Sequence, residues 1–205
     1  MKLKVCGMRE SNNIEQLLAL KPDYMGFIFY EKSSRNAEGK LDETLLKSFP
    51  SDTKKIGVFV NATLEQVTSK VAQYKLDYVQ LHGDESVEYV AGLFAIGIRV
   101  IKVFSIGASF DFHKLGAYNP FVDFFLFDTK GKERGGNGVA FNWDILKEYN
   151  QEVPFFLSGG VDLENIKKLD EMTDLNFHAI DVNSKFEEKP GLKNIEAIKT
   201  LKQKM

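Results

Sequence analysis

The sequence predicts a single-domain α/β protein in which residues 1–205 form one closed (βα)8 barrel. Eight short runs rich in β-branched and aromatic residues recur along the 205 residues, and segments with apolar residues at helical spacing separate them. Strands that alternate with helices form a parallel sheet, and no linker or low-complexity tract divides this sequence. The predicted strands are residues 3–6, 24–29, 55–60, 77–81, 98–104, 123–127, 154–157 and 178–182.

An open, doubly wound sheet is the alternative arrangement. Such a sheet usually contains fewer strands, and no G-x-G-x-x-G motif follows the first strand, so the eight units favour the closed TIM barrel. The segment after the fifth strand, SFDFHKLGAYN, has weak helical periodicity and predicts a short or irregular fifth helix. The other predicted helices are residues 13–20, 42–49, 63–74, 86–94, 142–149, 163–169 and 194–203.

Composition limits the partners and the compartment that we expect. The chain has 27 basic and 29 acidic residues and a formal charge of −2, which gives no electrostatic argument for binding nucleic acid or an anionic membrane. Its single cysteine excludes an internal disulfide framework and a multi-cysteine zinc site. Because we find no signal-peptide core and no apolar run of membrane-spanning length, we expect a soluble cytoplasmic protein. Composition does not choose between a monomer and a homodimer.

Two side chains at strand ends predict acid–base chemistry. In (βα)8 barrels the active site lies at the C-terminal ends of the strands. Cys6 ends the first strand before Gly7, and Asp128 ends the sixth, on the same face as Phe124 and Leu126. A thiol and a carboxyl on opposite sides of the barrel mouth can remove a proton from a ligand and return one. The alternatives are a small buried apolar residue at Cys6 and a turn residue at Asp128.

Lys4 shares the inward face of the first strand with Cys6. A lysine inside a barrel is costly unless it pairs with a carboxylate. Asp181 on the eighth strand is the candidate partner, because the first and eighth strands are neighbours in a closed barrel. A cation beside Cys6 would also lower the pKa of the thiol. The pattern leaves open whether Lys4 acts on Cys6 or orients Asp181.

The loops after the seventh and eighth strands predict a phosphate site. Gly159 and Gly160 follow the seventh strand, and the segment DVNSKFEEKPG closes the eighth. In this fold, these two loops commonly hold phosphate through backbone N–H groups and a helix N-terminus. The alternative is that the two glycines only form a tight turn. The glycine-rich segment 129–138 after the sixth strand is either a lid over the site or a surface loop.

An arginine and a histidine complete the list of candidate residues. Arg35 follows the second strand and has the planar fork that binds a carboxylate, although alone it is more typical of a solvated surface charge. His82 follows the fourth strand and can face a ligand, whereas His178 begins the eighth strand at the opposite end of the barrel. No spacing of ligating residues predicts a metal site, so we expect none.

Six motifs, in order along the chain, resemble phosphoribosylanthranilate isomerase of tryptophan biosynthesis: KVCGM, SSRN, VQLHGDE, FLFDTKGKERGGNGVAFNW, FFLSGGV and AIDVNSKFEEKPGLKN. The likeness covers nearly the whole chain. It implies an Amadori rearrangement of N-(5-phosphoribosyl)anthranilate to 1-(2-carboxyphenylamino)-1-deoxyribulose 5-phosphate. It also implies that no cofactor is needed, because the nitrogen of the substrate itself serves as the electron sink.

The resemblance also implies roles for individual residues. Cys6 would be the general base and Asp128 the general acid. Arg35 would bind the anthranilate carboxylate, and Asp181 would lie near the substrate. The phosphate would be held through backbone N–H groups of Gly159, Gly160, Asn183 and Ser184.

The chain departs from the pattern of the family at several positions, namely Ser34, Asn137, Asn142, Asn183, Lys185 and Phe186. Lys185 stands where the family has glycine, and its side chain is expected to alter the turn that presents N–H groups to phosphate. The acid and the base are unaffected, so these departures concern substrate affinity rather than reaction type.

Two other interpretations stay open. Another phosphate-binding barrel, such as an indole-3-glycerol-phosphate synthase or a pentose-phosphate epimerase, would need a catalytic lysine with glutamates, or several metal-ligating residues, at the strand ends. A barrel that serves only as a binding or assembly subunit would have no need of Cys6, Asp128 and Arg35. Turnover combined with stabilisation by phosphate would distinguish an enzyme from such a subunit.

Overall fold

The computed structural model of the chain, which describes residues 1–107, 109–129, 143–149, 152–167, 169 and 175–205, contains a closed barrel of eight strands. Every neighbouring pair is parallel and follows sequence order, and β8 pairs with β1 to close the ring. The predicted (βα)8 architecture is therefore confirmed. The strands are β1 (Lys2–Val5), β2 (Tyr24–Ile28), β3 (Lys54–Phe59), β4 (Tyr78–Leu81), β5 (Val100–Ile106), β6 (Phe124–Thr129), β7 (Phe155–Ser158) and β8 (Phe177–Val182).

The α-helices surround the barrel unevenly. Four follow the first four strands, namely α1 (Ser11–Leu18), α2 (Glu43–Lys47), α3 (Leu64–Tyr74) and α4 (Val87–Ala95), and α5 (Ile195–Lys204) follows β8. Between β5 and β6 the described residues form two 3-10 turns, Phe112–Leu115 and Asn119–Phe121, and no α-helix, which confirms the weak fifth helix.

The helices predicted after β6 and β7 are wrong in type. The described part of the first, Trp143–Glu148, is a 3-10 helix. In the second, residues 163–165 form a turn and residues 166–167 are in 3-10 conformation. An antiparallel pair of short strands, β9 (Glu187–Lys189) and β10 (Leu192–Lys193), was not predicted; it precedes α5. In the described ranges, no helix has the length and apolarity needed to cross a bilayer.

Alternation along the strands produces two separate apolar clusters. On β6, Phe124 and Leu126 point into the barrel, whereas Phe125 and Phe127 pack outward against the surrounding segments, as period-2 alternation predicts. The outer cluster is the larger and includes the buried faces of α1, α3, α4 and α5. The inner cluster consists of Tyr24, Ile56, Tyr78, Ile101, Val103, Phe124, Leu126, Phe156 and Ala179.

Aromatic rings fill the N-terminal end of the barrel. The Phe156 ring lies 5.0 Å from that of Tyr24 and 5.2 Å from that of Phe124, both edge to face. The His178 imidazole lies 4.3 Å from the Phe124 ring, and its Nε2 is 2.7 Å from the Tyr24 hydroxyl. Burial, together with the charge of Lys2, lowers the pKa of His178 to about 4. This end of the barrel therefore holds a neutral histidine in a packed aromatic layer.

The low pKa of His178 predicts that folding stability decreases on acidification. An unfolded histidine takes up its proton near pH 6.5, whereas folded His178 resists protonation down to about pH 4. The unfolded state therefore binds more protons in this window, and stability falls as the pH drops through it. After allowance for its partial solvent exposure, we expect His178 to account for about 1 kcal/mol between pH 7 and pH 5.

Denaturant unfolding of the wild type and His178→Gln at both pH values measures this contribution. The exposed His113 supplies the matched control, His113→Gln. An unchanged pH dependence in His178→Gln would contradict the assignment.

Candidate active site

A pocket of about 240 Å³ opens at the C-terminal ends of the strands. Both predicted catalytic residues line it, Cys6 at the end of β1 and Asp128 near the end of β6. Every other predicted site residue except Arg35 also lines it, namely His82, Gly159, Gly160, Asp181, Asn183 and Ser184. The fold thus brings together residues that are widely separated in sequence.

Backbone hydrogen bonds and a glycine fix the position of the Cys6 thiol. The Cys6 N–H donates to the Val182 carbonyl at 2.9 Å, and the N–H of Gly7 donates to the Gly26 carbonyl at 2.9 Å. A Cβ at Gly26 would lie 2.8 Å from Cys6 Sγ, so only glycine leaves room for the sulfur there. Gly7 has φ +79°, a conformation that glycine adopts without strain and that turns the chain away from the pocket.

Lys4 and Asp181 form an ion pair inside the barrel. β1 and β8 are in a register that aligns these two residues, and Lys4 Nζ lies 2.8 Å from Asp181 Oδ1. Both side chains are buried, and the pairing predicted from sequence is confirmed. Burial lowers the pKa of Lys4, but the charges of Asp181 and Cys6 outweigh it, so the pKa is raised and Lys4 remains an ammonium ion.

The Cys6 thiol is more weakly acidic than an exposed one. Burial raises its pKa, and the charge of Asp181 acts in the same direction. The cations Lys4 and Lys193 act in the opposite direction but do not outweigh burial. Lys4 therefore does both things that the sequence left open, since it pairs with Asp181 and partly offsets the desolvation of Cys6.

Asp128 lies next to His82 in the pocket. Its Oδ2 lies 3.6 Å from His82 Nε2, and both side chains are partly exposed. The β6–β7 register places Asp128 beside Ser158, the last residue of β7. The carboxylate is therefore accessible to a ligand that enters the pocket, with an imidazole near enough to exchange a proton with it through a bridging group.

A buried ion pair beneath the loop after β4 holds His82 in place. The Glu85 carboxylate accepts hydrogen bonds from the N–H groups of Asn61 and Gly83, at 2.9 and 3.0 Å, and from Lys102 Nζ at 2.9 Å. The side chains of Lys102 and Glu85 are both buried. The His82 N–H also donates to the Phe59 carbonyl at 2.8 Å, so both sides of the histidine are anchored.

The loops after β7 and β8 present backbone to the pocket. Gly159 and Gly160 have φ +85° and +76°, a left-handed conformation that favours glycine. The chain after β8 turns through a 3-10 segment, Ser184–Phe186, in which the Phe186 N–H donates to the Asn183 carbonyl. Lys185 is not among the described non-glycine residues with positive φ, so the absence of a glycine there requires no strained backbone.

Arg35 does not line the pocket but lies at its edge. Its guanidinium pairs with Glu187 at the start of β9, with Nη2 2.6 Å from Oε2 and Nε 2.9 Å from each carboxylate oxygen. A Cβ at Gly7 would lie 2.9 Å from both Arg35 Cδ and Asn183 Oδ1, which places these two side chains directly above the residue after Cys6. The bidentate pairing expected of Arg35 is present, with a carboxylate of the chain itself as the partner.

Sequence reasoning missed three residues of this region. Gln80 lines the pocket and is 2 % exposed, and no described group hydrogen-bonds to its Oε1. Its signal was available, because a glutamine stands at an inward position of the strand YVQL. Glu187 and Lys193 form a buried pair at 2.6 Å. They are six residues apart, but sequence reasoning did not predict the antiparallel pair of strands that aligns them.

Some predictions fall outside the described residues. They include the segment 130–138 of the proposed lid, with Asn137, and also Asn142. Among the residues that the structure does describe, no group of three His, Cys, Asp or Glu side chains is arranged to hold a metal ion.

A closed parallel barrel with a thiol and a carboxylate in one pocket at the C-terminal ends of the strands has the architecture of a (βα)8-barrel enzyme. Comparison with known proteins gives the family. The sequence model for N-(5'-phosphoribosyl)anthranilate (PRA) isomerase matches residues 3–204. An N-(5'-phosphoribosyl)anthranilate isomerase of Parabacteroides distasonis is 45 % identical over 206 residues, which cover all of this chain and 93 % of the relative.

Solved structures agree with this comparison. The crystal structure of phosphoribosyl anthranilate isomerase from Thermotoga maritima is 30 % identical, with a TM-score of 0.87 over 99 % of this chain and 97 % of that one. A structure of the isomerase in complex with reduced 1-(o-carboxyphenylamino)-1-deoxyribulose 5-phosphate is 27 % identical, with a TM-score of 0.81 over 98 % and 95 % of the two chains. The chain belongs to the N-(5'-phosphoribosyl)anthranilate isomerase family, the isomerases of tryptophan biosynthesis.

The buried Lys4–Asp181 pair predicts a non-additive effect on stability. Lys4→Met leaves the Asp181 carboxylate buried without its counter-charge, and we expect a loss of about 3–5 kcal/mol in the free energy of unfolding. The double variant Lys4→Met/Asp181→Leu removes both charges and should recover most of that loss. Denaturant unfolding of the single and double variants gives the coupling energy. Lys2→Met, which changes an exposed lysine of the same strand, is the control. Additive losses in the double variant would contradict the pairing.

Proposed function

We propose that this chain converts N-(5-phosphoribosyl)anthranilate into 1-(2-carboxyphenylamino)-1-deoxyribulose 5-phosphate by general acid–base catalysis. The observation that carries the proposal is the placement of Cys6 and Asp128 in one pocket, at the ends of β1 and β6, with two strands between them on the shorter way round the barrel. A substrate between them can lose a proton on one side and gain a proton on the other. The similar structure that holds a reduced form of this product supports the same substrate class.

The proposed reaction is an internal redox isomerisation, so no atoms enter or leave overall. Asp128 protonates the furanose ring oxygen, and the ring opens to a Schiff base whose nitrogen draws electrons from the sugar. The Cys6 thiolate then removes the proton from C2′, which gives an enolamine. Tautomerisation of the enolamine to the ketone completes the product. The nitrogen of the substrate supplies the electron sink, so the proposal needs no cofactor.

The raised pKa of Cys6 is compatible with the role of general base. A thiolate of higher pKa is the stronger base once it has formed, although a smaller fraction is ionised near neutral pH. Lys4 and Lys193 favour the ionised form and limit this loss. Asp181, held by Lys4, lines the same pocket and would accept a hydrogen bond from a sugar hydroxyl.

The remaining roles are to bind the phosphate, through backbone N–H groups, and the ring carboxylate, through a charged side chain. We assign the phosphate to the turns at Gly159–Gly160 and Asn183–Ser184, because backbone N–H groups in such turns bind anions without a counter-ion. Arg35 lies at the edge of the pocket near Asn183, and we assign to it the anthranilate carboxylate. His82 would contact the substrate beside Asp128. The cytoplasmic location and the choice between a monomer and a homodimer stay predictions.

Variants of the acid and the base test the reaction. We expect Cys6→Ala and Asp128→Asn each to lower kcat by at least about a hundredfold, the scale of general acid–base catalysis. The assay follows the loss of anthranilate-type fluorescence from freshly generated substrate, and His113→Ala, which changes an exposed residue outside the pocket, is the control. Full turnover in either variant would transfer that role to another residue. A folded wild type without turnover would contradict the isomerase proposal and favour a binding subunit.

The direction of the Cys6 pKa shift predicts the pH profile. A general base must be deprotonated, and burial raises the pKa of Cys6 above its usual value of 9.0. Because the reaction also needs Asp128 protonated, we expect a bell-shaped dependence of kcat/KM on pH, with the limb set by Cys6 in the alkaline range. Lys4→Met removes a charge that lowers the pKa of Cys6, so the alkaline limb of this variant should lie at higher pH. A profile with both limbs below pH 7 would contradict Cys6 as the base.

A further inference from the structure

Glu187 is the centre of a buried charge cluster at the edge of the pocket. Its carboxylate accepts hydrogen bonds from Arg35, from Lys193 Nζ at 2.6 Å and from the Gly191 N–H at 3.1 Å. The Glu187 side chain is only 3 % exposed, and that of Lys193 is fully buried. Burial acts against ionisation, but the hydrogen bonds from Arg35 and Lys193 outweigh it and lower the pKa of Glu187 to about 2. The group is a carboxylate at any pH at which the protein works.

The contacts of Glu187 leave part of the Arg35 guanidinium available. Glu187 uses Nε and Nη2 of the guanidinium. Among the described residues, none accepts a hydrogen bond from Nη1 of Arg35. A guanidinium holds its five N–H donors in one plane, so fixing the Nε–Nη2 edge also fixes the direction of the Nη1–Nη2 edge. Glu187 therefore determines both where Arg35 lies and how its remaining N–H groups are oriented.

The charges of the cluster do not cancel. Arg35 and Lys193 carry two positive charges, and Glu187 carries one negative charge. Lys193 Nζ also donates to Asn183 Oδ1 at 2.6 Å, and Asn183 lines the pocket. One positive charge thus remains at the edge of a pocket whose proposed ligand is an anion. A ligand carboxylate at Arg35 would complete the charge balance.

We propose that Glu187 is a positioning residue for carboxylate recognition: it holds the Arg35 fork by one edge so that the other edge receives the ring carboxylate of the substrate. This inference rests on the role proposed above for Arg35. It makes the preference for a carboxylated ring a property of two residues, one after β2 and one after β8. If Glu187 had only a structural role, its removal would affect ligands with and without the carboxylate equally.

Binding of two non-reacting analogues separates these possibilities. One is the reduced form of the product, which carries the ring carboxylate, and the other is the same molecule without that carboxylate. Calorimetry gives the ratio of their Kd values for the wild type and for Glu187→Gln. We expect the variant to lower this ratio at least about tenfold, the loss associated with one misplaced charge-assisted hydrogen bond. Kd for the analogue without the carboxylate should stay unchanged.

Two further variants guard the interpretation. Glu188→Gln changes the exposed neighbour on β9 and should keep the wild-type ratio. Glu187→Asp keeps the charge, so it should remain folded even if Glu187→Gln does not, but it withdraws the carboxylate by one methylene and should also lower the ratio. In turnover, both Glu187 variants should raise KM for the carboxylated substrate at least about tenfold and change kcat little.

The outcomes are distinct. A wild type that discriminates between the analogues, with Glu187 variants that discriminate equally well, overturns the positioning role and leaves the proposed function intact. Equal weakening of both analogues in the variants shows a structural brace and also overturns it. A wild type that does not discriminate removes the proposed role of Arg35 and, with it, this inference.

Discussion

The ion pair between Lys4 and Asp181 is the constraint on which the arrangement of the pocket depends. Closure of the barrel aligns β1 with β8 and brings an ammonium and a carboxylate to 2.8 Å in a region that water hardly reaches. Neither charge is tolerable there without the other. Because Cys6 lies two residues beyond Lys4 on the same strand face, the register that satisfies the pair also places the thiol in the pocket. The same pairing therefore stabilises the barrel interior and sets the position of the Cys6 thiol.

Around this pair, the ionisable groups of the pocket divide into two kinds. Lys4, Asp181 and Cys6 are buried, and their protonation is governed by desolvation against neighbouring charges. His82 and Asp128 are partly exposed in the pocket. Under the proposed mechanism the base is the buried group and the acid is the accessible one, which suits a reaction in which the ring is opened before a carbon-bound proton is removed. Behind them lie two buried ion pairs, Glu85 with Lys102 and Glu187 with Lys193. Their hydrogen bonds hold the loops around the opening of the pocket.

Local sequence patterns predicted much of this molecule. The strands were predictable because β-branched and aromatic runs with period-2 alternation pack on both faces of a closed sheet. Barrel closure marked Asp181 as the candidate partner of Lys4, and the structure supplied the register that aligns them. The 3-10 helix at Trp143–Glu148 was not predictable, since apolar spacing marks a buried face without deciding the helix type. Nor was the pairing of Arg35 with Glu187, because neither residue lies on a strand of the barrel, so the order of the strands does not align them. The pKa of Cys6 depends on the balance between burial, which raises it, and neighbouring cations, which lower it. Only the folded structure shows which effect is larger.

The aromatic layer at the N-terminal end determines the side on which ligands enter and leave the barrel. Tyr24, Phe124, Phe156 and His178 pack ring against ring below the ion pair, so the interior has a floor rather than a channel. Ligands must therefore enter and leave on the side of the C-terminal loops. Product and incoming substrate then compete for one passage as well as for one set of contacts, and the interior cannot hold both. Under the proposed function, release of product is then an obligatory step of each cycle, and it depends on the same turns and arginine to which we assign the substrate contacts.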